Sequence, residues 1–171
     1  MENFNNETID TTQLPKFEAV EFSVLHSNYW KVILINIIIL FLILGAGLSL
    51  LLFYNEDLKL FVVEISALFF VLLLLSFTFS RISFKKKGFA FRDHDVLFRY
   101  GVIATNTIII PYNRVQHVAL HEGFLSRYFG LAKVEIFTAG GSSSDIEVPG
   151  IEIEQAEKIK QLLMGKIQKQ L

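Results

Sequence analysis

Two long apolar runs dominate the first half of the chain. Residues 32–54 and 58–80 are each about 23 residues long and hold almost no charge. A helix of that length spans ~35 Å, which is enough to cross a hydrocarbon core of ~30 Å. Because only residues 55–57 separate the runs, the two helices must be antiparallel neighbours. The pattern predicts a transmembrane hairpin over residues 31–80, after a polar cytoplasmic segment over residues 1–30.

The second half of the chain, residues 81–171, changes to short β-rich runs. Some of these runs alternate apolar and polar residues, and turn residues separate most of them. Strands are predicted at residues 88–92, 96–103, 105–110, 114–120, 131–138 and 145–148. The simplest topology for these strands is an antiparallel meander.

Two further elements complete the predicted domain. Glycines bound a helical turn over residues 123–130, and a flexible hairpin tip is expected over residues 139–144. Pro149 and Gly150 are expected to break the chain before residues 152–168, where apolar residues recur at helical spacing. The predicted fold class is a membrane α-helical hairpin followed by a mainly β, barrel-like domain with a C-terminal amphipathic helix.

Composition changes this picture little but excludes several functions. Hydrophobic residues make up 52% of the chain and charged residues 19%, against roughly 25% charged in soluble domains. The formal net charge of -1 gives no electrostatic reason to bind nucleic acid. The chain has no cysteine, which excludes disulfides, thiolate metal sites and cysteine nucleophiles.

Basic residues crowd the exit of the second apolar run. They are Arg81, Lys85, Lys86, Lys87 and Arg92. The hairpin turn instead carries Glu56 and Asp57, with Lys59 as its one base. Since positive flanks stay in the cytoplasm, both termini are predicted to be cytoplasmic. The same cluster could also bind anionic lipid headgroups, at ~1 kcal/mol per charge, and the two roles are compatible.

Four polar residues lie at membrane depth: Asn36, Ser49, Glu64 and Ser76. Folding the hairpin about Glu56 sets Asn36 beside Ser76 and Glu64 beside Ser49. This predicts hydrogen bonding between the helices. The alternative is an ion or proton pathway through Glu64, which two helices could enclose only as an oligomer.

Three stretches of the domain carry a resemblance to a known family. They are Arg99-Tyr100-Gly101, the run from Ile110 to Val118 that contains Pro111, Arg114 and Gln116, and Gly130-Leu131-Ala132 leading to residues 138–140. Together with the hairpin, they resemble the YdbS-like bacterial PH domain family over residues 81 to about 164. The resemblance implies a PH-like split barrel hung from two membrane helices in a bacterial inner membrane. It also implies a scaffold or interaction role, and it brings no catalytic residues.

Arg99, Arg114 and Arg127 are the candidate contact residues of the domain. A guanidinium offers planar, bidentate hydrogen bonding that suits either a partner or an internal ion pair. The second interpretation pairs these arginines with Glu122 or Glu135 and gives them a structural role. Both interpretations stay open at the level of sequence.

Other motifs in the domain do not predict catalysis or a cofactor. His117 and His121 lie four residues apart on a predicted strand, ~13 Å from each other, which is too far to share a metal ion. Residues 142–144 follow two glycines but lack the lysine and the helix of a phosphate-binding loop. No metal, cofactor or enzyme activity is predicted.

The sequence therefore favours a non-enzymatic, membrane-anchored PH-like module. Its expected partner is another membrane protein of the same family or a copy of itself, bound at the cytoplasmic face. Two alternatives remain: a transporter or channel subunit built around Glu64, and an anionic-lipid sensor that uses the basic flank.

Overall fold

A computed structural model describes residue 8 and residues 17–140 and 145–168. Its first half is a helical hairpin formed by α1 (Ser27–Tyr54), a short α2 (Glu56–Lys59) and α3 (Val62–Lys86). Both long helices are long and apolar enough to cross a membrane, and almost none of their apolar surface is buried. Helices that are apolar on all faces and are not covered by other parts of the protein are typical of a lipid environment.

The helix bounds differ from the predicted spans. Helix α1 begins at Ser27, and α3 begins at Val62 and continues through the basic stretch to Lys86. Helix α2 begins within the predicted turn, because the Asn55 side chain accepts hydrogen bonds from the backbone of Asp57 and Leu58 at 3.1 and 3.3 Å. Such capping satisfies amide groups that a helix start leaves free.

Aromatic contacts hold the two long helices together. Trp30 meets Phe77 with ring centroids 5.5 Å apart, and Phe41 meets Phe69 at the same separation. A Cβ added to Gly45 would lie 3.3 Å from the Phe69 ring. Glycine at this position lets the ring pack against the α1 backbone, as small residues do between membrane helices.

The domain contains two antiparallel sheets. The first has the order β1 (Ser23–Val24), β2 (Gly88–Phe91), β3 (Asp95–Tyr100) and β4 (Asn106–Pro111), and the second has β5 (Val115–His121), β6 (Leu131–Thr138) and β7 (Ile146–Glu152). Helix α4 (Phe124–Tyr128) connects β5 to β6, and α5 (Ile153–Gln168) packs on the second sheet. Apolar residues of both sheets and of α5 form one core. This arrangement confirms the predicted fold class.

The N-terminal segment belongs in part to the domain, which corrects the predicted boundary at residue 81. Strand β1 pairs with β2 in the register Ser23 to Phe89 and Val24 to Gly88. Leu25 is only 4% exposed and lies in the domain core. The hairpin is therefore inserted into the domain between its first two strands.

Strand β7 also differs from the prediction, since it does not stop at Val148. It continues to Glu152 through Pro149 and Gly150, which together oppose the single residue Lys133 of β6. A proline can be accommodated at such a bulge because the ladder hydrogen bonds are interrupted there. Residues 141–144 of the hairpin tip predicted at residues 139–144 lie outside the described residues.

Candidate functional site

The junction between the domain and the hairpin is a set of direct contacts. The backbone N–H of His26 donates to the Gly150 carbonyl at 2.9 Å, and its Nε2 lies 3.1 Å from a Glu152 oxygen. On the other side, Lys86 Nζ donates to the Val102 carbonyl at 2.6 Å. The domain is thus fixed to both ends of the hairpin rather than tethered by a linker.

The bulge of β7 forms the closest part of this junction. Gly150 has a φ of +68°, and a Cβ added there would lie 2.5 Å from Cγ of Tyr29 in the first turn of α1. Only glycine adopts that backbone conformation without strain and leaves room for the ring. The first turn of α1 consequently packs directly on the second sheet.

A cleft of about 520 Å³ opens beside this contact. Helix α1, both sheets and the start of α4 contribute to its walls, which combine apolar and polar side chains. The lining residues include Val32, Asn36, Lys87, Tyr100, Ile108, His121, Lys133, Asp145 and Glu147. Since Asn36 belongs to the apolar part of α1, the cleft extends alongside the start of that apolar segment.

Most charges of the cleft are paired. Lys133 Nζ lies 2.6 Å from Glu135 and 3.0 Å from Glu147. Burial disfavours its ammonium, but hydrogen bonds to both carboxylates outweigh this effect and raise its pKa. Asp145 accepts a hydrogen bond from the backbone of Thr138 at 2.9 Å.

Lys87 differs from Lys133, the other lysine of the cleft. Within the described part of the chain it has no ion pair, and burial lowers its pKa. It was predicted only as one member of the basic cluster at the exit. An ammonium without an ion pair beside apolar walls is an arrangement that suits a polar or amphiphilic group. Among residues 17–140 and 145–168 no cluster of acidic or histidine side chains could hold a metal ion.

The other four basic exit residues do not form a single patch. The Arg81 guanidinium lies 4.7 Å from the centroid of the Trp30 ring, and Lys86 is bonded to Val102. Arg92 donates to both carboxylate oxygens of Asp95, and this hydrogen bonding raises its pKa. Only Lys85 and Lys87 keep ammonium groups without such contacts in the described structure, fewer than the four to eight bases of a lipid-reading cluster.

The four polar residues of the apolar runs do not form the predicted pairs. Ser49 Oγ donates to the Gly45 carbonyl of its own helix at 2.8 Å. Among the described residues, no hydrogen bond joins Asn36 to Ser76 or Glu64 to Ser49. For Glu64 and Ser49 the prediction failed because a serine in an apolar helix can bond to the carbonyl four residues earlier. Glu64 lies exposed in the first turn of α3, and Asn36 borders the cleft.

Glycine and proline residues of the family stretches shape the backbone. Gly101 has a φ of +124°, and an added Cβ would lie 1.9 Å from the Ala104 carbonyl oxygen. Gly130 has a φ of +69° at the end of α4. Pro111 precedes the 3₁₀ turn Tyr112–Arg114 between the sheets. At these three positions the residue type suits the local backbone conformation.

The other residues of the family stretches are scattered over the domain. Gln116 is the extra residue of a bulge in β5, and Tyr100 stacks on Phe98 with centroids 5.6 Å apart. The Arg99 guanidinium lies 4.2 Å from the Phe22 ring centroid. Of the other candidate contacts, Arg114 is exposed, and Arg127 lies 4.0 Å from Glu122.

The two histidines considered for a metal have different surroundings. His117 stacks on Phe137 with ring centroids 4.2 Å apart, and His121 lines the cleft. Glu135, the other proposed partner of an arginine, instead pairs with Lys133.

Sequence reasoning missed the residues that join distant parts of the chain. Tyr112 is only 1% exposed, and its hydroxyl donates to the Arg92 carbonyl at 2.6 Å. Burial, followed by the charges of Asp95 and Asp93, raises its pKa to about 12. Tyr112 lies within the run from Ile110 to Val118 that carries the family resemblance, and this position is the sequence signal that could have identified it.

The contact of His26 with Glu152 has no sequence signal, because the hairpin and most of the domain lie between the two residues.

Two relatives from Bacillus subtilis (strain 168) match parts of the chain. UPF0699 transmembrane protein YdbS is 29% identical over 84 residues, 49% of this chain and 51% of that protein. UPF0699 transmembrane protein YdbT is 32% identical over 85 residues, 48% of this chain and 17% of that protein. The chain thus spans about half of YdbS and a smaller part of YdbT. No solved structure gives a significant match.

The names of these relatives and the two apolar helices support a membrane location. The family model described as Bacterial PH domain matches residues 12–167. This range includes the hairpin, both sheets and nearly all of α5. The resemblance read from the sequence is confirmed: the chain belongs to the bacterial PH domain family.

Proposed function

We propose that the protein is a non-enzymatic, membrane-anchored interaction module that binds a protein of its own family, with a second copy of this chain as the partner. The observation that carries the proposal is the outer edge of β4. In the first sheet β4 pairs only with β3. Residues 106–110 make no backbone hydrogen bond to any described element other than β3.

The composition of this edge supports pairing rather than solvation. Exposed edge strands usually carry lysines or other charges that prevent association. Residues 106–110 of β4 carry no charge, Ile109 among them is 40% exposed, and Pro111, which has no backbone N–H, ends this edge. Such an edge is suited to accept a further strand, whose main-chain hydrogen bonds provide affinity.

A second copy is the partner that the anchoring favours. The hairpin fixes the domain at one height above the bilayer, so the β4 edges of two copies are presented at the same level. One surface that meets itself about a twofold axis is the commonest arrangement of soluble oligomers. Confinement to a membrane also raises the effective concentration of one copy near another.

Cysteine cross-linking in native membranes tests this pairing, since the chain has no cysteine of its own. Asn106→Cys and Thr107→Cys, examined one at a time, should give a covalent dimer under mild oxidation or with a short bismaleimide. Lys160→Cys on α5 is the matched control and should stay monomeric. Adding Ile109→Lys to either edge variant should reduce the dimer several-fold, because a charge is placed on the edge.

The absence of a dimer from both edge variants, while differently tagged copies fail to co-purify in mild detergent, would refute self-association. Cross-linking of Lys160→Cys with equal yield would show that the contact is non-specific. Capture of another family member by the edge variants, without self-capture, would replace the second copy by that relative.

We further propose a multi-pass topology with both termini in the cytoplasm. The support is the excess of basic residues at the exit of α3 over the turn between the helices. A reporter that is active only in the cytoplasm should be active when fused after residue 171 and inactive when inserted within residues 55–57. The reverse pattern would place the domain on the outer side.

A further inference from the structure

The three most exposed large apolar side chains among the described residues after Lys86 are Ile103, Phe124 and Tyr128. They are 92%, 89% and 82% exposed. Singly exposed apolar residues are common on globular surfaces, whereas residues that continue a larger apolar surface mark contact with an apolar partner. Their positions relative to the hairpin therefore matter.

Ile103 lies beside the exit of α3. The preceding residue, Val102, accepts the hydrogen bond from Lys86 and borders a small cavity with Ser80 and Ile33. Charged side chains are absent from α3 between Glu64 and Arg81, so Ser80 marks the point where this helix leaves the hydrocarbon. The loop that carries Ile103 reaches that level.

Phe124 and Tyr128 lie on α4, which contacts α1. The residues Gly123 and Ser126 of this region line the large cleft together with Val32 and Asn36. Val32 begins the uncharged part of α1, directly after Lys31. Helix α4 therefore reaches the membrane boundary of α1.

The polar neighbours of these side chains suit a lipid headgroup region. Lys31 Nζ lies 5.9 Å from the centroid of Phe129, the residue that follows α4. The Arg127 side chain is 79% exposed between Phe124 and Tyr128 in sequence. Aromatic rings with long basic side chains at the same level are typical of a membrane interface, where the rings insert and the cations meet phosphates.

We propose that Ile103 on one flank of the hairpin and Phe124 with Tyr128 on the other insert into the bilayer leaflet nearest the domain. The occupant of this surface is lipid, because the surface is continuous with the membrane-spanning helices and lies at their boundary. The domain then lies against the bilayer at points beside both helices. This inference requires the membrane location but does not depend on pairing through β4.

Single-cysteine variants of the full chain test the insertion. Ile103→Cys, Phe124→Cys and the control His94→Cys are labelled with an environment-sensitive fluorophore and reconstituted into phosphatidylcholine and phosphatidylglycerol vesicles. His94 is exposed in the β2–β3 turn, at the end of β2 remote from α3. Because all three side chains are at the surface, the substitutions remove little packing.

Lipids that carry a spin label near the headgroup should quench the probes at 103 and 124 at least about threefold more strongly than the probe at 94. Equal quenching at all three positions would overturn the proposal in favour of a solvated surface. Protection from a charged maleimide without quenching would also overturn it, because protein would then cover the site. Quenching at one flank alone would refute the two-sided insertion.

Discussion

Gly150→Ala is expected to destabilise the junction between the domain and the hairpin by about 3 kcal/mol. The left-handed conformation of Gly150 costs an alanine ~1 kcal/mol or more. The added methyl group also meets the Tyr29 ring at 2.5 Å, and relief of such overpacking typically costs a further ~1–3 kcal/mol. Any shift of β7 would in addition lengthen the hydrogen bond from His26 to Gly150.

Gly130→Ala is a matched control for the backbone contribution. Gly130 has a φ of +69°, nearly that of Gly150, but no atom lies within 4 Å of an added Cβ. Its replacement should therefore cost only the conformational strain. Fluorescence of Trp30, the one tryptophan of the chain, reports on the junction during thermal unfolding in detergent, because Trp30 contacts Arg81 and Phe84 there.

A double-mutant cycle separates the clash from other effects. Tyr29→Ala removes the ring, so Gly150→Ala in that background should cost little more than Gly130→Ala does. If Gly150→Ala and Gly130→Ala are equally mild in the natural background, Tyr29 does not pack on β7 as described. The junction would then be looser than the contacts indicate.

The local pattern predicted the parts of the fold that depend on neighbouring residues. Strand β6 was predicted at its observed bounds, because one of its faces is buried along the whole strand. The predicted end of β7 at Val148 was wrong because Pro149 and Gly150 normally interrupt a strand. Only their pairing with the opposing strand β6 shows that they form a bulge. Strand β1 was missed because two residues have no periodicity, and its pairing with β2 spans the whole hairpin.

The candidate site was harder to predict than the fold. The sequence predicted the basic cluster at the exit of α3 as one site. In the structure its members have different partners: Arg81 lies over aromatic rings, Lys86 donates to a carbonyl and Arg92 pairs with Asp95. The cleft that contains Lys87 is assembled from α1, α4 and both sheets. No window of sequence contains these parts together. Side-chain roles that depend on long-range packing can be read only after the topology is known.

Tyr112→Ala is expected to cost about 3–5 kcal/mol of domain stability, as large aromatic truncations in cores do. Tyr112 is buried between the two sheets and belongs to the core cluster. Its replacement leaves a cavity and also leaves the Arg92 carbonyl without the hydroxyl that donates to it. Hydrogen exchange of the β6 amides in the full chain, measured in detergent, would give the loss directly.

Tyr112→Phe isolates the hydroxyl, and pH provides an independent measurement. The variant should lower the free energy of unfolding by about 1–3 kcal/mol at neutral pH, because it leaves a partly buried carbonyl unsatisfied.

The pKa of Tyr112 is raised to about 12 in the folded protein from its ordinary value of 10. A raised pKa means that the folded state holds the proton more tightly, so this stabilisation is complete below pH 10 and is lost as pH rises towards 12. The stability difference between the natural chain and Tyr112→Phe should therefore narrow over that interval. A difference that stays constant from pH 9 to 12 would show that the hydroxyl is hydrated rather than buried.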